Sequence, residues 1–363
     1  PGLKTTIHRQ TTSWLVWFLF IGVIPSVAGM GGLAGAVAEA GNVMLPSVSI
    51  EIWVVACCLF TWLILYWGSY QSLENILLAM VLLFSFITIV IAFSMQTTEY
   101  EVSFSQISQG LTFNFPTEFL PLALAVFGFT GISYGEIMAY TYWCLEKGYA
   151  QDTNNNIEET KAWIKTMQTD VWVTVLFITI GTLPFFFLGA GVLHHVPELQ
   201  EPLANNSFWD VDVIGALQNM FSLVLGGWAK WLFVILAFFV LFSTLLSGTA
   251  AFTRTIADYL ISTGLILEQK ETRSYLIKLI AFFIPFFSGV FYFVLPNPIT
   301  LLIIAGIWAA MGLPIVNIGA LYLISKLDKD LHPKQSTKTI LWLSLMLQIT
   351  MALLIIYDMT VGF

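Results

Sequence analysis

Apolar stretches of about 20 residues recur nine times along the chain. They lie near 13–38, 50–67, 74–95, 120–145, 171–193, 228–261, 275–295, 299–325 and 338–361. Each is long enough to cross the roughly 30 Å hydrocarbon core of a bilayer as a helix. In that medium every backbone N–H and C=O must be satisfied within the protein, so only helices and closed barrels can span it. The runs are continuous rather than alternating, which excludes a barrel. Of the 363 residues, 58% are hydrophobic and only 10% are charged. A soluble domain carries about 25% charged residues. The reading is an all-α polytopic membrane protein, one transmembrane domain over residues 1–363.

The connections are mostly short and polar. The longest, from about 194 to 227, holds His194, His195, Pro197, Asn205 and Trp209. With residues 1–12 placed in the cytoplasm and the sides alternating, only Lys230 of the 14 basic residues falls outside, which leaves 14 − 1 = 13 inside. That asymmetry is a positive-inside pattern, and a missed helix would scramble it. An odd number of spans then leaves the far terminus outside. The formal charge is −8 with no basic run, so nucleic acid is not an expected partner. Cys57, Cys58 and Cys144 lack zinc-like spacing and read as packed thiols. A monomer is expected, and the short loops point to a bacterial inner membrane.

The fourth span contains Gly128, Gly131, Ile132, Ser133, Tyr134, Gly135 and Glu136. An ionised carboxylate at a helix centre costs about 2.5–3.5 kcal/mol on insertion scales. Glycine lowers the cost of leaving helical geometry. A helix broken at membrane depth is tolerated only beside protein or a cavity, and it frees carbonyls and helix ends to bind ions. Glu136 therefore reads as a cation or proton site. The alternative is a protonated Glu136 bonded to a neighbouring helix, with the glycines serving close packing.

Other polar features admit quieter readings. Gly31 and Gly35, with Ala34 and Ala38, give the first span a close-packing face. Glu39 is expected near the outer interface and solvated. Arg254 and Asp258 are spaced for a helical ion pair or for gating. Asp170 opens the fifth span, either as a favourable charge at its start or as part of an inner gate. Pro184, Pro285 and Pro314 are expected to kink their helices. Asn205-Asn206-Ser207 is a formal glycosylation sequon, and His194-His195 is a weak metal candidate.

The order of these features resembles the Nramp (natural resistance-associated macrophage protein) family of proton-coupled divalent-metal transporters, from the family's third helix onward. A-G-M-G-G-L-A-G-A from Ala28 is similar to its third helix, and Q-S-L-E-N-I-L-L-A-M from Gln71 to the start of its fifth. G-I-S-Y-G-E-I-M-A-Y from Gly131 falls on the unwound sixth helix, and K-T-M-Q-T-D from Lys165 on the entry to the seventh. S-T-L-L-S-G-T-A-A from Ser243 resembles the eighth, and A-A-M-G-L-P-I from Ala309 the tenth. The resemblance implies a leucine-transporter-like inverted-repeat fold, here N-terminally truncated by two helices. The first of those two carries the family's Asp-Pro-Gly-Asn motif. It also implies one helix unwound near 131–137.

In the family the unwound helix reads Ala-Thr-Val-Met-Pro-His. Ungapped alignment puts Ile132 at the alanine, Gly135 at the methionine, Glu136 at the proline and Ile137 at the histidine. The implied substrate site is Ile132, Ser133, Tyr134, Gly135 and Glu136, with the Ile132 carbonyl and Glu136 as metal ligands. Losing the thioether removes a filter for soft metals, and a carboxylate favours hard ions such as Mg²⁺. Gly306 stands where a polar residue of the tenth helix would assist the ion. Asp170, Arg254, Asp258 and Gly306 are the implied gating positions. The expected function is secondary transport of a divalent cation, by symport if protons are coupled. The expected partners are the lipid bilayer and a divalent metal ion, with protons if transport is coupled and no cofactor. A small organic solute bound by Tyr134, Tyr140 and Tyr142 is the alternative. No H-E-x-x-H or Gly-x-Ser-x-Gly motif supports an enzyme.

Overall fold

The computed structural model describes Trp17 and residues 21–67, 70–112, 120–129, 132–150, 156–195, 213–262, 265–266 and 271–361. Gly131, the Asn205-Asn206-Ser207 sequon and the His194 side chain lie outside the described residues. Among the described residues there are twelve α-helices, in chain order. They are α1 (Val23–Met44), α2 (Ile50–Trp67), α3 (Tyr70–Met95), α4 (Phe104–Gly110), α5 (Leu120–Phe129) and α6 (Tyr134–Glu146). Then come α7 (Ile157–Gly191), α8 (Val213–Leu225), α9 (Ala229–Ser262), α10 (Thr272–Val294), α11 (Pro298–Lys326) and α12 (Gln335–Val361). Among the described residues, eight helices are long and apolar enough to cross a membrane. The ninth expected span, 120–145, is divided between α5 and α6.

The glycine- and alanine-rich α1 is the centre of the bundle, in contact with α2, α9, α10 and α11. Nearly every residue from Val27 to Ala38 is buried. Lipid tails are as apolar as leucine, so helices associate by close packing rather than by escape from water. A Cβ added at Gly31 would lie 2.5 Å from the Ser288 carbonyl oxygen of α10. One at Gly32 would lie 2.7 Å from the Pro298 carbonyl at the start of α11. Gly35 faces the Tyr292 ring and Gly41 the Trp53 indole at similarly short range. The absent side chains let two backbones and two rings close on α1 at once. Large apolar side chains such as Phe86, Phe93, Trp172 and Phe286 point outward, where the bilayer solvates them.

Several boundaries differ from those expected. The first helix runs on to Met44 because its small residues, weakly apolar as a run, are buried by neighbours. Glu39 is half-buried within it rather than solvated. The fifth span, expected at 171–193, belongs to a helix that begins at Ile157. Asn156 caps that helix, its Oδ1 accepting the Glu158 N–H at 3.0 Å, so the polar first turns extend beyond the apolar core. The connection after 194, expected as a loop, contains helix α8, which packs on α9 and α3. Its Ile214, Met220 and Phe221 are buried against the bundle. Pro184, Pro285 and Pro314 lie within helices that continue past them.

The central packing yields a contrast between two glycines. Gly31→Ala forces its methyl onto a backbone oxygen and is expected to destabilise the protein by about 1–3 kcal/mol, the usual cost of overpacking. Gly189→Ala, with nothing within 4 Å, is expected to be neutral or stabilising. Thermal unfolding in detergent, followed by the loss of the monodisperse fraction, checks the sign of each.

Candidate functional site

The broken helix carries the candidate site. Ile132 and Ser133 are non-helical, α5 ends at Phe129 and α6 begins at Tyr134. The break ends at Ser133 rather than at the expected 137, so Gly135, Glu136 and Ile137 already belong to the first turns of α6. Three close contacts fix the two halves. A Cβ at Gly128 would collide with the Gly306 carbonyl of α11, so the end of α5 rests directly on that backbone. Gly306 is buried there. The Tyr134 ring fills the space beside Gly312, where a Cβ would lie 2.7 Å from its Cδ1. The Tyr134 hydroxyl lies 3.2 Å from Ser26 Oγ and donates to the Gly22 carbonyl at 3.4 Å, joining the break to the start of α1.

Glu136 sits in the first turn of α6 with its side chain exposed. The backbone N–H of Ser133 donates to its Oε2 at 2.5 Å. This is the carboxylate half of a capping box, which satisfies an N–H that α6 cannot pair internally. A negative charge here also suits the positive end of the helix dipole. Among the described residues, Oε1 accepts no hydrogen bond, and the Ile132 carbonyl receives none. Two hard oxygen acceptors therefore stand close in sequence at the break. No cluster of three His, Cys, Asp or Glu side chains occurs among the described residues.

The remaining gating candidates lie away from the break, at the end of the bundle where the basic residues gather. Arg254 and Asp258 do not pair with each other as the helical spacing suggested. Each reaches a neighbouring helix instead. Arg254 holds the Glu146 carboxylate through Nε and, at 3.0 Å, through Nη2. Its Nη1 donates to the Ala250 carbonyl at 2.8 Å, and its guanidinium lies 4.8 Å from the Trp143 ring centre. Asp258 accepts from Arg273 Nε of α10 at 2.9 Å. A planar fork matches a carboxylate across a helix interface better than it turns back along its own helix.

Asp170 is half-buried in α7 and accepts the Tyr149 hydroxyl at 2.8 Å. That bond is the main reason the Tyr149 phenol is held above its usual pKa. The Tyr140 hydroxyl donates to the Met167 carbonyl, a second link from α6 to α7. The tyrosines weighed for an organic pocket are thus committed elsewhere: Tyr134 to α11 and α1, Tyr140 to α7. Tyr142 lies beside Arg273, whose guanidinium is 5.8 Å from the ring centre. His195 Nδ1 bonds the Gly191 carbonyl at 2.6 Å, a helix-end contact.

Sequence reasoning did not find Glu146 or Arg273, because the partners of Arg254 and Asp258 sit 108 and 15 residues away. The capping box of Ser133 and Glu136 was missed as well, although its Ser-x-x-Glu spacing is a local signal that could have shown it. A double-mutant cycle of Glu146→Gln and Arg254→Gln, read by thermal unfolding, is expected to give a coupling of about 1 kcal/mol. A coupling near zero would remove the pair as a latch between α6 and α9.

The model of the family described as natural resistance-associated macrophage protein-like matches residues 1–358. No curated protein matches the chain. Membership of that family implies a multi-pass membrane protein of leucine-transporter-like fold and the transport of divalent metal ions. The chain belongs to the Nramp, or natural resistance-associated macrophage protein-like, family.

Proposed function

We propose that the chain is a secondary active transporter of a hard divalent cation, of which Mg²⁺ is the type, bound at the break between α5 and α6. The observation that carries this reading is the interrupted helix with an exposed carboxylate, Glu136, in the first turn after the break. Oxygen donors without a soft sulfur favour ions that keep several waters. Ile132 supplies a carbonyl and Glu136 one carboxylate oxygen, while its other oxygen stays on the Ser133 N–H. Ser133, Tyr134 and Gly135 shape the turn that places them.

Glu136 is also the proton acceptor of the site, since Ile137 stands where the family has a histidine. The basic end of the bundle faces the cytoplasm, as the distribution of Lys and Arg favours. Alternating access rocks the broken helix against the α1-centred helices. Release to the cytoplasm then requires the Glu146–Arg254 pair to part, with Asp258–Arg273 and Tyr149–Asp170 bracing the flanking helices. The Gly128–Gly306 contact is the pivot near the site, because two backbones in direct contact leave no side chain to rearrange.

Uptake into proteoliposomes of Mg²⁺, Mn²⁺ and Ca²⁺, with and without a pH gradient, tests the proposal. Mg²⁺ is expected to be preferred and accelerated by an inward proton gradient. Glu136→Gln keeps an oxygen for the Ser133 N–H, so stability should hold while uptake falls about tenfold, the loss expected for one charged contact. Glu136→Ala should lose the cap as well, about 0.5–1 kcal/mol of stability. Unchanged uptake and ion preference in Glu136→Gln would leave the carboxylate a helix cap and nothing more.

A further inference from the structure

A second site lies at the basic end, on the outside of the bundle. The last turn of α2 and the first two turns of α10 enclose an open cleft of about 530 Å³. Its apolar floor is Leu65 and Ile277, and Tyr66 and Trp67 form one wall. Arg273, Ser274 and Lys278 form the other. The spacing of 273, 274, 277 and 278 brings all four α10 residues onto one face. Arg273, Ser274 and Lys278 are exposed. Lys278 Nζ lies 5.8 Å from the centre of the Tyr66 ring, so its ammonium is held across the cleft.

We propose that this cleft binds the headgroup of an anionic phospholipid. The charge balance supports an anion. Asp258 engages only Nε of Arg273, and among the described residues the two terminal nitrogens of that guanidinium donate no hydrogen bond. The Ser274 hydroxyl likewise donates none among the described residues. Two cations and one hydroxyl thus face an opening that has no carboxylate among the described residues of its lining. The position selects a lipid over a soluble anion. Both walls are ends of membrane-crossing helices. Trp67 is 72% exposed, as an indole at the headgroup level should be. The apolar floor continues the lipid-facing surface of α2 and α10, where an acyl chain can follow its headgroup. Basic pockets between transmembrane helices at a membrane surface take phosphate headgroups by the same physics. Arg273 also holds Asp258 of α9, so a bound phosphate would brace the α9–α10 joint beside the proposed cytoplasmic gate.

Native mass spectrometry of the purified protein, titrated with phosphatidylglycerol and with phosphatidylcholine, tests the assignment. Phosphatidylglycerol is expected to be retained more tightly. Lys278→Gln, at an exposed position, should lower that affinity about fivefold, the usual effect of one basic residue near an anionic surface. Ser274→Ala should lower it in the same direction, and Lys329→Gln, outside the cleft, should leave it unchanged. Equal retention of the two lipids would overturn the proposal. So would an equal loss in Lys278→Gln and Lys329→Gln, which would mean diffuse attraction. Glycerol phosphate protecting the protein from thermal unfolding as well as phosphatidylglycerol does would assign the cleft to a soluble anion and overturn the lipid assignment.

Discussion

The packing of α1 against its neighbours is the constraint from which the rest of the architecture follows. A helix in lipid gains little by hiding an apolar side chain, since the tails solvate it equally well. It gains by bringing many atoms into van der Waals contact, and small residues permit the closest approach. Gly31, Gly32, Gly35 and Gly41 let α10, the start of α11, and the Tyr292 and Trp53 rings close on one axis. With α1 fixed, α11 is fixed, and α11 supplies two of the surfaces that hold the broken helix.

Those two surfaces are again places where a side chain is missing. Gly306 receives the end of α5 and Gly312 receives the Tyr134 ring at the start of α6. A helix interrupted in a bilayer exposes unpaired backbone groups, and they must be met by protein or by water. Part of that demand is met locally by Glu136, which accepts the Ser133 N–H. One carboxylate oxygen remains for other chemistry. In the proposed site the same residue stabilises the break and offers a charge to a cation, which would join the stability of the site to its occupancy.

At the basic end the logic changes from packing to charge. Arg254, Asp258 and Asp170 each find a partner on another helix or in a loop. Such contacts are individually modest when half-exposed. They are directional, however, and they join α6 to α9, α9 to α10, and the loop after α6 to α7. In the proposed transport cycle those are the joints that a rocking of the broken helix would open or carry with it. The α2–α10 cleft lies next to one of them, sharing Arg273 with it.

The sequence by itself determined the class of the fold. Run length and hydropathy are local properties, and the bilayer reads them directly, so eight spans and the division of a ninth were legible. So was the close-packing role of Gly31 and Gly35, because small residues four apart share a face whatever lies opposite. The capping of α6 has a local signal too, in Ser133-x-x-Glu136, but the charge of Glu136 drew the reading to ion binding instead. What lay opposite each face was not local. The pairing of Arg254 with Glu146 rather than Asp258, the seating of Tyr134 at Gly312, and the meeting of Gly128 with Gly306 depend on which helices become neighbours. Helix α8 and the polar turns of α7 escaped an apolar-run reading because docking and a cap form them, not hydropathy. Tertiary structure decided these points, since contacts between distant segments have no signature in either segment alone.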